Sequence, residues 1–85
     1  MTSPEKVETR VREVVADVIG PSAPPTIGLD DELHEIGIES LNILEIVVRL
    51  EQEFDIKIGD AEIFEAALSR VGDIAKLVQT HVGRS

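Results

Sequence analysis

The 85-residue sequence contains no cysteine, tryptophan or tyrosine, and its aromatic residues are Phe54 and Phe64. Without cysteine there is no disulfide framework, thiolate zinc site or thiol nucleophile, and nothing points to an oxidising compartment; a cytoplasmic setting is expected. Two phenylalanines make no stacking platform for nucleic-acid bases. Long apolar runs are also lacking. None exceeds Ile46-Val47-Val48, against the ~20 residues of a membrane span, and Met1-Thr2-Ser3-Pro4-Glu5 has no apolar signal core. Neither membrane insertion nor secretion by the usual signal is expected. Basic residues are scarce: 8 Lys and Arg face 17 Asp and Glu, a net charge of -9, which disfavours nucleic acid and anionic lipid and favours basic protein partners. At this length a single domain over residues 1–85, monomeric, would hide roughly 60–65% of its unfolded surface. That supports a modest core, leaves no deep active-site cavity and excludes a large enzyme.

The acidic excess is concentrated. Residues 30–65 hold twelve acids and two bases, Arg49 and Lys57, a net of -10, whereas residues 1–29 sum to -1 and residues 66–85 to +2. A solvated helix surface accounts for such a run, and so does a docking face.

Hydrophobic spacing predicts helices. Val7, Val11, Val14, Val15, Val18 and Ile19 form the stripe of a helix packed on one side, started by Ser3 or Thr2 ahead of Pro4 and stopped by Gly20-Pro21. Prolines at 21, 24 and 25 make residues 20–28 irregular. Residues 29–39 read as an acidic loop pinned to the core by Ile27, Leu29, Leu33, Ile36 and Ile38. A second helix is expected from Ser40 to Phe54. At ~100° per residue, Ile43, Ile46, Val47, Leu50 and Phe54 share one sector, while Leu41, Leu44 and Val48 form another roughly 140° away, with Glu51 between them. Either this helix is central in a bundle, or the second strip is exposed for a partner. Asp60 is expected to cap a short third helix through Leu68, and Ser69 to cap a fourth carrying Val71, Ile74, Leu77, Val78 and Val82, closed by Gly83. Ile56-Lys57-Ile58 is too short for a sheet. The fold class is all-α: a small four-helix bundle with a long first loop and a short third helix.

Few residues can carry chemistry. Gly-x-Ser-x-Gly is absent, and His34 and His81 have no triad spacing; His34 reads as a solvated loop residue and His81 as helix-terminal. Asp30-Asp31-Glu32 lacks the alternating ligands and glycine of a calcium loop, so no metal site is expected. Gly37 stands alone and makes no phosphate loop. What remains is Gly37-Ile38-Glu39-Ser40-Leu41. A serine where a loop meets a helix is ordinarily an N-cap. It is also a place where a phosphodiester is electrostatically tolerable, near helix-terminal amides, and the preceding glycine permits a turn that presents it.

At these residues the sequence resembles the acyl carrier protein family, which includes the peptidyl carriers. The family motif Gly-x-Asp-Ser-Leu reads here Gly37-Ile38-Glu39-Ser40-Leu41. Leu50-Glu51-Gln52-Glu53-Phe54-Asp55-Ile56-Lys57-Ile58 is similar to the carriers' Leu-Glu-x-Glu-Phe-x-Ile-x-Ile, and Val71-Gly72-Asp73-Ile74 to their Val-x-Asp segment. The resemblance covers essentially the whole chain. It implies that Ser40 is a tether, modified with 4'-phosphopantetheine from coenzyme A by a phosphopantetheinyl transferase, so that a chain without cysteine holds cargo as a thioester. It further implies a recognition helix from Ser40 to Phe54, with Leu41, Leu44 and Val48 as apolar partner positions and Glu39, Glu45 and Glu51 as acidic ones. Two departures stand out. Glu39 replaces the usual aspartate, one methylene longer and a poorer fit to capping, which bears on which transferase accepts the chain. Arg70 stands where threonine is frequent, leaving Ser69 as the expected cap.

The expected function is a free-standing acyl carrier of fatty-acid or polyketide type, not an enzyme, served by an acyl- or aminoacyl-loading enzyme and downstream synthases or transferases with basic docking patches. An aminoacyl or peptidyl carrier is the alternative, and an acidic helical adaptor in which Ser40 is only a cap is the alternative of a different class.

Overall fold

In the computed structural model, residues 3–82 are described. Among them the chain forms four α-helices: α1 (Pro4–Ile19), α2 (Ser40–Phe54), α3 (Asp60–Glu65) and α4 (Val71–Val82), with a 3-10 turn at Gly20–Ser22. The expected all-α class is therefore found. Thr2, the alternative start signal, and Gly83, the expected close of α4, lie outside the described residues.

α1 begins where the sequence places it. Ser3 accepts the Lys6 N–H through its hydroxyl oxygen at 3.3 Å, and Pro4 occupies the first turn, where a missing N–H costs nothing. Gly20 stops the helix at φ 81°, a left-handed backbone that disfavours a side chain, while its N–H reaches back to the Ala16 carbonyl. Val7, Val11, Val14 and Val15 of α1 meet Ile46, Val47 and Leu50 of α2 and Val71, Ile74, Ala75, Leu77 and Val78 of α4 in one buried cluster. α1 packs along both α2 and α4, whereas α3 runs alongside none of them and is seated through Ile63. Outside the core, Arg10 donates to Glu13 at 3.1 Å and to Glu53 of α2 at 2.5 Å. The bond to Glu53 holds the Arg10 guanidinium further above its ordinary pKa, against the opposing effect of its burial.

The loop between the 3-10 turn and α2 is the part that positions the site. It is pinned to the core by Ile27, Leu33 and Ile38, all buried, with Leu29 and Ile36 half-buried beside them. Its backbone is stapled to the start of α4: Leu33 N–H donates to the Ser69 carbonyl at 2.9 Å, Val71 N–H to Asp31 at 3.1 Å and Gly72 N–H to Leu29 at 2.8 Å. Glu32 and Arg70 pair there as an isolated antiparallel bridge. Gly72 suits this closeness, because a Cβ on it would lie 3.0 Å from the Leu29 carbonyl oxygen, a contact tight enough that the Leu29 backbone would have to give way by a few tenths of an ångström.

Two terminal assignments need correction. α3 does not run to Leu68 under an Asp60 cap. Asp60 is its first helical residue after Gly59, and the helix ends at Glu65. Ala67 adopts φ 50°, which breaks the helix and lets the chain turn so that Leu68 packs on the core and Ser69 reaches Leu33. At α4 the capping runs the other way from the expectation. Ser69 is a donor, giving its N–H and hydroxyl to Asp73 Oδ2 at 3.0 and 3.2 Å, and Arg70 N–H joins them at 2.9 Å. A carboxylate in the first turn is a stronger acceptor for these amides than a neutral hydroxyl, and the helix dipole favours it.

The Arg70 N–H, then the Ser69 N–H, hold the Asp73 carboxyl below its ordinary pKa. A carboxylate with a depressed folded pKa contributes stability that is present above the unfolded value and lost as pH falls through the folded one. Asp73→Asn is therefore expected to lower stability at pH 7 by about 1 kcal/mol, the scale of a lost helix cap. Its deficit against the native chain should shrink below about pH 4, as read from urea midpoints across pH. A deficit constant down to pH 2 would show that the carboxylate charge contributes nothing.

Candidate functional site

The segment before α2 is a compact turn. Glu35 and Ile36 N–H both donate to the Glu32 carbonyl, Gly37 N–H donates to His34, and Ile38 N–H closes the turn on Leu33 at 2.8 Å. Gly37 makes the corner at φ 94°, so a side chain there would be strained whatever the space around it. Ile38 then buries its side chain and Glu39 extends (φ -105°, ψ 174°) into the N-cap position of α2. The cap is thus Glu39, with Asn42 Oδ1 accepting the Glu39 N–H at 3.0 Å. Asparagine supplies the return half of a capping box usually filled by Glu or Gln.

Ser40 is the first helical residue and is exposed. Its hydroxyl makes no hydrogen bond to any described residue. The capping role expected of Ser40 is corrected by this geometry: Glu39 holds the N-cap position, Asn42 accepts the Glu39 N–H, and the Ser40 hydroxyl has no partner among the described residues.

The two apolar strips of α2 have separate fates. Ile46, Val47 and Leu50 are fully buried and Ile43 and Phe54 half-buried, whereas Leu41 is 80% and Val48 49% exposed, with Leu44 between these extremes. The helix is therefore not enclosed on all sides. From Ser40, a groove of about 570 Å³ opens between α2 and α3, walled by Leu41, Ile43, Leu44, Ile63, Phe64 and Leu68. A second recess, of about 520 Å³, adjoins Ser40 on the loop side, with His34, Glu39 and Ser69 in its lining. Phe64, 76% exposed, was not singled out from the sequence. The available signal was weak: Ile63 and Phe64 lie ~100° apart on a helix too short to be enclosed on both sides, and Ile63 is the one that is buried.

The acids expected on this face differ in their freedom. Glu39 and Glu45 are exposed. Glu51 is half-buried and its Oε2 accepts the Ile58 N–H at 2.7 Å, bracing the turn after α2, where Asp55 takes a left-handed backbone. Among the histidines, His34 is exposed on the loop, while His81 is not a plain helix-terminal residue: its Nε2 lies 2.8 Å from Glu62 Oε2, linking α4 to α3. No helix among the described residues is long and apolar enough to cross a membrane.

The bundle thus holds an exposed serine at the start of α2, at the mouth of an apolar groove. Residues 9–78 match the family model described as the phosphopantetheine attachment site. The chain is 32% identical over 72 residues to an acyl carrier protein of Clostridium acetobutylicum, covering 85% of this chain and 91% of that protein. It is 25% identical over 83 residues to one of Thermotoga maritima, covering 98% and 100%. A crystal structure of an acyl carrier protein from Thermotoga maritima has the same fold, with a TM-score of 0.79 at 22% identity over 95% of this chain and 92% of that one. The chain belongs to the acyl carrier protein family, whose members bear covalent 4'-phosphopantetheine and work with phosphopantetheinyl transferases and synthase enzymes.

The capping geometry separates two substitutions. Ser40→Ala should leave helicity unchanged and stability within about 0.5 kcal/mol, as for a surface position away from structural features. Asn42→Ala removes the bond to Glu39 and should cost about 1 kcal/mol. Circular dichroism with urea titration measures both, and a larger loss at Ser40 than at Asn42 would place the capping load on the serine.

Proposed function

We propose that Ser40 is the 4'-phosphopantetheine attachment residue of an acyl carrier, not an enzyme, which acts as a cytoplasmic monomer for fatty-acid- or polyketide-type enzymes. The observation that carries this reading is the unspent, exposed Ser40 hydroxyl at the N-terminus of α2. The residues present fit the group. Unpaired first-turn amides and the positive end of the helix dipole favour a phosphodiester at this oxygen, and Gly37 and Ile38 hold the preceding chain in a corner away from it. In the attachment, a bond forms from Ser40 Oγ to the phosphorus bearing the pantetheine arm. The bond from that phosphorus to the nucleotide moiety of coenzyme A breaks, and the serine proton passes to a base on the transferase. The bound arm supplies a thiol that holds cargo as a thioester.

The chain's own residues do the rest. Leu41, Leu44 and Val48 offer a partner an apolar strip running from the tether, and the exposed Glu39 and Glu45 border it with carboxylates. Glu51 contributes to the field of this face while holding the loop at Ile58. The -10 charge of residues 30–65 draws in enzymes with basic surfaces at long range, an effect that salt screens. The apolar groove beginning at Ser40 suits aliphatic cargo better than a charged aminoacyl group, which favours the acyl over the aminoacyl or peptidyl reading.

Incubation of the folded chain with coenzyme A and a phosphopantetheinyl transferase should add one phosphopantetheine mass, and Ser40→Ala should abolish the gain. A folded native chain left unmodified by every transferase tried would overturn the assignment. Glu45→Lys should slow transfer severalfold at low salt and much less at 0.5 M or so; equal slowing at both would remove electrostatic docking at Glu45.

A further inference from the structure

α2 carries one basic residue, Arg49, and it stands on the face just described. On a helical projection Glu45 and Arg49 lie roughly 40° and 80° round from Leu41, on the flank of the exposed strip that turns towards α1. The Arg49 guanidinium bonds Asp17 of α1 and lies 3.3 Å from Glu45 Oε2. Glu45 is therefore not an isolated anion; it belongs to an Asp17–Arg49–Glu45 array, of which Asp17 and Arg49 line the polar groove between α1 and α2.

This array is not needed to hold the helices together. Its side chains are 70%, 44% and 51% exposed respectively, and exposed ion pairs contribute little to stability. The α1–α2 contact is already made by buried valines and by Arg10–Glu53. Nor are the donors of Arg49 exhausted. A guanidinium has five N–H groups in a planar fork, and the contacts to Asp17 and Glu45 leave several of them free on a side chain nearly half exposed. A partner surface that was basic throughout would satisfy Glu45 and at the same step press a like charge against Arg49, which costs affinity and slows docking.

Resting on the carrier reading above, we propose that Arg49 is a specificity-determining residue of the docking face. The enzyme that acts at Ser40 presents a carboxylate to Arg49 beside the cation it presents to Glu45, around an apolar recess for Leu41 and Val48. The complementary surface is mixed in charge, and net acidity governs the approach while Arg49 sets which basic surfaces are accepted and in what register.

The probe is the phosphopantetheinyl transferase of the same genome with coenzyme A, assayed on the full chain at low and high salt. The substrates are the native chain, Arg49→Lys, Arg49→Gln, Arg49→Glu and Asp17→Asn, each with its thermal midpoint. Asp17→Asn breaks the same bridge to α1 but leaves Arg49 charged and exposed, so it reports any purely structural role. We expect Arg49→Lys to stay within about twofold of native, Arg49→Gln to lose severalfold and Arg49→Glu about tenfold in kcat/KM. The loss should lie in KM and shrink at high salt, and Asp17→Asn should match the native chain. Transfer to Arg49→Gln or Arg49→Glu at the native rate or faster would overturn the proposal, because a uniformly basic partner gains when this cation is removed. Asp17→Asn losing as much as Arg49→Gln would overturn it as well, by reducing Arg49 to a brace. A native chain left unmodified defeats the carrier reading itself, a result distinct from modification that is indifferent to Arg49.

Discussion

The position of Ser40 depends on the stapling of a long loop to the first turn of α4. A connection of this length without regular structure is unusual in a small domain, because its backbone groups need partners that neither helix nor sheet supplies. Here Leu33, Val71 and Gly72 donate across the junction to Ser69, Asp31 and Leu29, and Leu33 and Ile38 sink into the core on either side of the turn that precedes the site. Gly72 sits close against the Leu29 carbonyl, where a methyl group would make a tight contact. The start of α4, remote in sequence from Ser40, is in this way part of the apparatus that aims it. Asp73, gathering three donors at the same junction, keeps that turn of α4 in register with the loop.

α2 divides its work by face. Its inner sector builds the core, its outer sector leaves Leu41 and Val48 in water, and its flanks carry the charges. Apolar area kept in solvent forgoes roughly 25 cal/mol per Å² of burial, so a chain with so small a core that still exposes Leu41, Val48 and Phe64 retains surface that becomes useful when something covers it. Glu51, whose carboxylate accepts the Ile58 N–H, shows that charge on this helix has internal work as well, and that a count of acids overstates how many are available to a partner.

Much of this was legible in the sequence. The valine stripe with Ser3, Pro4 and Gly20 marked α1, and the motif around Ser40 with the apolar period after it marked α2, because these depend on local capping and periodicity. Periodicity could reveal two apolar strips on α2 but not which was covered, since coverage depends on how many helices pack round it. The end of α3 was misplaced for a tertiary reason: Leu68 and Ser69 are pulled inward by the core and by Leu33, and a left-handed Ala67 breaks a segment whose composition favours helix. Ser69 was expected as the cap where Asp73 is the acceptor, because both are good capping residues and only the geometry of the loop junction decides which accepts. His81 with Glu62 and Glu51 with Ile58 join parts of the chain that no spacing rule connects.

The unspent hydroxyl of Ser40 carries a further consequence. Because neither the cap nor the core leans on it, the tethering role proposed for Ser40 separates the oxygen that bears the load from the face offered to partners. On that proposal a chain altered only at this oxygen keeps its shape and its surface, and becomes an empty decoy that occupies the same enzymes without delivering anything. Selection on the serine would then come from traffic and not from folding, and damage there would go unnoticed by the machinery that removes misfolded proteins.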